Sequence, residues 1–111
     1  MRIEKNPIDA RGIKLVVHDG GVEVGRVYLY VLHNSLHEVP FGYMEDLFVD
    51  ESYRGKGIGK QLISAVVAEA KMQGCYKLIG TTRHSKPDVQ EMYVRYGFEN
   101  WGMEFRMDLD T

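Results

Sequence analysis

At 111 residues the chain has room for one domain, residues 1–111, and one modest core. Two full catalytic domains are excluded. With 44% hydrophobic and 27% charged residues, the composition is that of a folded globular protein and argues against disorder. A net charge of −2 without a basic block gives no reason to propose nucleic acid as the main ligand. The longest apolar run, Val27 to Leu32, is far short of the roughly 20 residues of a membrane helix, so no membrane partner is expected. The first residues, Met1 to Pro7, carry no apolar stretch and do not read as a secretory signal. A single cysteine, Cys75, excludes an intrachain disulfide and a Cys-based zinc site, and a cytoplasmic location is expected.

Residues 1–12 are mostly polar and are expected to form a short edge strand or a loosely held arm. Ile13 to His18 reads as a strand. Asp19-Gly20-Gly21 is a hairpin turn signal, and Val22 to Leu32 is the returning strand, with Gly25 marking a bulge. A loop, His33 to Pro40, leads to a third strand, Gly42 to Val49. Simple alternation there puts Glu45, Leu47 and Val49 on one face and Met44, Asp46 and Phe48 on the other. From Ile58 the apolar residues recur at helical spacing through Leu62, Ala65, Val66 and Ala70, and Gly74 is a natural stop. Tyr76 to Thr82 reads as a strand. Pro87 and Asp88 open a second helix in which Val89, Met92, Tyr93 and Tyr96 share a face, closed by Gly97. Met103 to Leu109 alternates and predicts a last strand. The order β-β-β-α-β-α-β predicts an α+β (mixed α/β) fold, a mixed sheet with helices packed on it.

The chemistry concentrates in Arg54-Gly55-Lys56-Gly57-Ile58-Gly59-Lys60, between the third strand and the first helix. Three alternating glycines let backbone N–H groups converge on an anion, and a helix start adds unpaired N–H groups and partial positive charge. Arg54, Lys56 and Lys60 add full charges, so a phosphate or pyrophosphate is the natural guest. The mononucleotide loop fails, because Gln61 follows Gly59-Lys60 and the earlier glycine is missing. The dinucleotide fingerprint fits poorly, because the third glycine comes one residue early and antiparallel strands come first. The pyrophosphate loop of an acyl-CoA-binding fold, Arg/Gln-x-x-Gly-x-Gly/Ala, is met in every position by Arg54, Gly57 and Gly59.

From about Ile13 to Leu109 the chain resembles the GNAT superfamily of acetyl-CoA-dependent N-acetyltransferases. The resemblance is strongest over Met44 to Gly59, similar to the family's fourth strand, pyrophosphate loop and third helix start. A second segment, Met92-Tyr93-Val94-Arg95-Tyr96-Gly97-Phe98, looks like its Tyr-x-x-x-Gly-Phe helix ending. The wording Glu-Asp-Leu-Phe-Val followed by Arg-Gly-x-Gly-Ile-Gly is most similar to the diamine (spermidine/spermine-type) acetyltransferases.

The resemblance implies an acyl-CoA N-acyltransferase fold whose fourth and fifth strands splay apart. It implies acetyl-CoA as cosubstrate, with Leu47, Phe48 and Val49 pairing their backbone with the pantetheine arm. Arg54, Gly55, Lys56, Gly57, Ile58, Gly59 and Lys60 would hold the pyrophosphate. Glu45 is the implied general base, Asp46 a weaker candidate, and a backbone N–H near Val49 the implied oxyanion donor. Tyr93 matches the tyrosine that protonates the departing thiolate.

Two departures qualify the likeness. The usual helix pair before the second family strand has no counterpart in the dozen or so residues ahead of Ile13. The acceptor side is therefore expected to be open or completed by a partner subunit, and a homodimer is expected. Lys86 stands where many members have Asn. Transfer to a small-molecule or protein amine is the expected activity, and an acyl-CoA-binding sensor without transfer is the alternative. No metal is expected: His33 and His37 lie in a loop with no evident third ligand. His84 reads as a surface residue, Trp101 as core or interface, and Cys75 as non-functional.

Overall fold

The computed structural model describes residues 1–110. Residues Met1–Gly80 form one compact unit and a second begins at Thr81.

In the first unit, residues 1–10 have no regular structure and are exposed, the arm of the two expected forms. Strands β1 (Arg11–Asp19), β2 (Val22–Leu32), β3 (Phe41–Val49) and β4 (Leu78–Gly80) make one sheet in the order β1-β2-β3-β4. The first three are antiparallel, and β3 and β4 are parallel. The hairpin turns on Gly20 and Gly21, both at positive φ, which keeps the twist of the flanking strands. The ladder slips beside Val24 and Gly25, where Val17 pairs with Gly25 and His18 with Glu23, so the bulge expected at Gly25 is present.

Helix α1 (Ile58–Met72) crosses from β3 to β4 and covers one face of the sheet. Its buried residues Leu62, Ile63, Val66 and Ala70 meet Val27, Leu29, Val31 and Met44. Ala65, expected on this face, is exposed, because the buried stripe centres on Leu62 and Val66. Gly25 lets the helix approach: a Cβ there would stand 3.0 Å from Ile58 Cγ2 and 3.1 Å from Leu62 Cδ1. Strand β4 is shorter than the expected Tyr76–Thr82, with pairing confined to Leu78–Gly80.

In the second unit, α2 (Pro87–Arg95) starts with Pro87 in its first turn and half-buries Val89, Met92 and Tyr93, as the periodicity predicts. The chain reverses at Gly97, where Phe98 N–H donates to Tyr93 O at 2.9 Å. The strand expected over Met103 to Leu109 is absent: residues 98–110 have no regular structure. The alternation is present in the sequence, but a strand exists only when its N–H and C=O groups are paired, and here no ladder includes them. Trp101, expected in a core or interface, is 90% exposed.

Candidate active site

Strand β3 carries the first site residues, and its geometry departs from simple alternation. Arg26 pairs with Phe48, yet Tyr28 pairs with Glu45. Asp46 and Leu47 therefore stand against Val27 alone, a bulge in β3. Asp46 sits at φ 55, the left-handed region that non-glycine residues seldom enter. The bulge reverses the facing of everything after it. Met44 and Val49 lie on the α1 side, Val49 Cγ2 being 3.9 Å from a Cβ placed on Gly59. Phe48 lies on the other side under Arg26, and Asp46 reaches the same Arg26. The expected grouping of Glu45 with Leu47 and Val49, and of Asp46 opposite Glu45, is thus corrected. Glu45 and Asp46 share the face away from α1.

The two carboxylates differ in engagement. Asp46 accepts from Arg26 Nε at 2.8 Å and from Nη2 at 3.4 Å. That partner raises the Arg26 pKa. Glu45 is exposed, and among the described residues nothing hydrogen-bonds or ion-pairs its carboxylate. Between them, Glu45 is the one free to accept a proton.

Beyond Met44, β3 leaves its parallel neighbour. The pairs are Gly42 with Leu78, Tyr43 with Ile79 and Met44 with Gly80, and none follows. Glu45–Val49 therefore has β2 on one side and no strand on the other among the described residues. Asp50 N–H donates to Val24 O at 2.8 Å. In an antiparallel ladder hydrogen-bonded pairs alternate with unbonded ones, so Val49, one residue back, turns its N–H and C=O away from β2 to the open side. Arg54 Nε donates to that carbonyl at 3.0 Å, leaving the Val49 N–H directed into the gap.

The strand runs directly into the glycine loop. Asp50 caps the 3-10 turn Glu51–Tyr53: its carboxylate accepts from the Ser52 hydroxyl at 2.8 Å and the Ser52 N–H at 3.1 Å, which lowers its pKa. The Tyr53 hydroxyl donates to the Asp19 carboxylate, pinning this turn to the β1–β2 hairpin. Gly57, at φ 83, is the N-cap of α1 and brings no capping side chain. The first helical bond is Gln61 N–H to Gly57 O, so the N–H groups of Ile58, Gly59 and Lys60 have no partner within the helix. The space around Gly55 and Gly57 is open, with nothing within 4 Å of a Cβ at either. Arg54, Lys56 and Lys60 are exposed around it. Open space, unbonded amides and three cations fit the pyrophosphate of an acyl-CoA.

In the second unit, the Tyr93 hydroxyl reaches Thr81 O at 3.4 Å, and its ring lies 5.3 Å from Phe98. Lys86 is the N-cap of α2 and uses its backbone there. His37 packs its ring on Tyr76 at 4.3 Å. Among the described residues no group of three or more His, Cys, Asp or Glu could hold a metal ion. Burial raises the Cys75 thiol pKa, which keeps it protonated and unreactive.

Sequence reasoning missed Arg26, Asp50 and Asp19. The Asp50-x-Ser52 spacing is a readable capping signal. Nothing local marks Arg26 or Asp19, because their partners Asp46 and Tyr53 are reached only through the sheet register and the fold.

The profile of the acetyltransferase (GNAT) domain family matches residues 10–100. A glucosamine 6-phosphate N-acetyltransferase of Trypanosoma brucei brucei is 39% identical over 61% of this chain and 44% of its own length. An aminoglycoside N(6')-acetyltransferase type 1 of Salmonella typhimurium is 30% identical over 71% of this chain and 57% of its own. The chain thus spans about half the length of these curated relatives. A solved acetyltransferase of Trypanosoma brucei superimposes with a TM-score of 0.79 at 31% identity, over 88% of this chain and 69% of that one.

Proposed function

Since the chain belongs to the family of GNAT acetyltransferases, we propose that residues 1–111 work as one domain that transfers acetyl from acetyl-CoA to a primary amine. One observation carries the reading: the unpaired edge of β3 leads without interruption into a helix start rich in glycine and cations. An extended pantetheine arm matches the first, and a pyrophosphate matches the second. Leu47, Phe48 and Val49 line the arm, and Arg54 to Lys60 hold the diphosphate.

Acetyl-CoA brings the acetyl group as a thioester open to direct attack by an amine. An alkyl ammonium has a pKa near 10, so a base must free its lone pair. Glu45 takes that proton, directly or through a water. The Val49 N–H donates to the carbonyl oxygen as it gains negative charge. Tyr93 gives its phenolic proton to the sulfur that leaves, which requires an approach of about 3 Å.

The relatives named above act on glucosamine 6-phosphate and on aminoglycosides, both amino sugars. Amino sugars therefore come first in an acceptor panel. The diamines suggested by the local wording come second, since neither of these relatives is named for a diamine.

Release of free thiol from acetyl-CoA, with the panel present, tests the reading. Turnover falls about 100-fold or more in Glu45→Gln and in Tyr93→Phe. Undiminished turnover in both variants would remove these roles. Acetyl-CoA binding with no turnover on any amine would instead favour the alternative, an acyl-CoA-binding sensor.

A further inference from the structure

The segment from Trp101 to Asp110 is apolar at every odd position, Trp101, Met103, Phe105, Met107 and Leu109, and these side chains are 68–90% exposed. Its even positions carry Gly102, Glu104, Arg106, Asp108 and Asp110. Such a stretch has the period of a half-buried strand, and no ladder in this chain includes it. An exposed strand with one apolar face is a template for another chain.

We propose that this segment pairs with the same segment of a second copy of this chain, as two antiparallel strands related by a two-fold axis through Phe105. The charges select that partner and that register. Centred on Phe105, Glu104 of one copy faces Arg106 of the other, twice by symmetry. On the opposite face Phe105 meets Phe105, Met103 meets Met107 and Trp101 meets Leu109, so all five apolar residues are covered.

Other registers fail on the same residues. Centring on Glu104 or on Arg106 sets like charges against each other. Centring on Met107 pairs Arg106 with Asp108 but opposes Glu104 to Asp110 and strands Trp101. Parallel pairing in register stacks every charge on its own kind. In the single chain Arg106 Nε rests 2.7 Å from Asp108. That exposed contact between neighbours is the one the cross-strand pair replaces or shares.

The test uses the full chain and needs no acetyl transfer, so its outcome is separate from that of the activity reading. Sedimentation equilibrium shows a dimer. Glu104→Arg or Arg106→Glu alone weakens it about tenfold, and the two together restore it. In a Cys75→Ser background, Phe105→Cys oxidises to a covalent dimer. Paired residues sit about 4.5–5.5 Å apart at Cα, within disulfide reach. Arg106→Cys does not, because its own copy lies a diagonal step away. A monomer at all concentrations, or a dimer indifferent to each single charge reversal, overturns the proposal.

Discussion

Arg26 and Asp46 face each other across the one place where β2 and β3 fall out of step, and the guanidinium holds the one described non-glycine residue at positive φ. Arg26 is itself steadied by Glu23 at 3.6 Å and by the Phe48 ring at 4.7 Å. A left-handed L-residue costs roughly 1–2 kcal/mol, which its surroundings must offset. Removing the clamp exposes that cost. Arg26→Ala lowers the midpoint of urea unfolding, and adding Asp46→Gly, which accepts φ 55 freely, recovers it. If Asp46→Gly deepens the loss, backbone strain is not what Arg26 offsets.

Gly25 separates β2 from α1. A Cβ there meets two core side chains at about van der Waals overlap and the Phe48 carbonyl at 3.4 Å. Gly25→Ala therefore destabilises by about 1–3 kcal/mol, by forcing Ile58 and Leu62 off their rotamers. Thermal unfolding measures it, and an unchanged midpoint would show that the helix yields without cost.

Acetyl-CoA at about 100 times its dissociation constant adds roughly 2.7 kcal/mol and raises the melting temperature by several degrees. Gly57→Glu abolishes that rise, because it strains φ 83 and puts a carboxylate where a diphosphate would sit. CoA and acetyl-CoA both shift the wild type, whereas NAD does not. Equal shifts with NAD would point to a different nucleotide.

Asp50 gives the loop an acid limit. Its carboxylate is favoured in the fold by the Ser52 hydroxyl and N–H, so its folded pKa lies below the ordinary 3.8. The stabilisation is complete above the unfolded value and is lost as pH falls through the folded one. Between about pH 5 and pH 3 the wild type loses more stability than Asp50→Asn. Parallel losses in the two proteins would assign the acid limit to other carboxylates.

Much of this was legible because short-range chemistry wrote it. Asp19-Gly20-Gly21 is a turn by backbone preference, the glycine loop is a helix start without side-chain obstruction, and Val89, Met92, Tyr93 and Tyr96 share a helical face by spacing alone. The bulge was not legible. Asp46 enters the left-handed region because a distant arginine holds it there, and no period in the sequence of β3 encodes that displacement. One slipped residue was enough to move Asp46 onto the face of Glu45 and Val49 off it. The alternation from Met103 to Leu109 was legible as a pattern, but pairing is a relation between two segments and a single run of residues specifies only half of it. Arg26 and Asp19 were invisible for the same reason.

The three-residue ladder between β3 and β4 has a kinetic consequence. Amides of Gly42–Met44 are locked by neighbours on both sides, whereas Val49 N–H points into an unpaired gap. Deuterium should enter the far half of β3 quickly and its near half slowly, the boundary falling within one or two residues of Glu45. A guest that lies along the strand would act as the missing neighbour and erase that boundary, so exchange at Val49 reports occupancy of the cleft without any chemistry taking place.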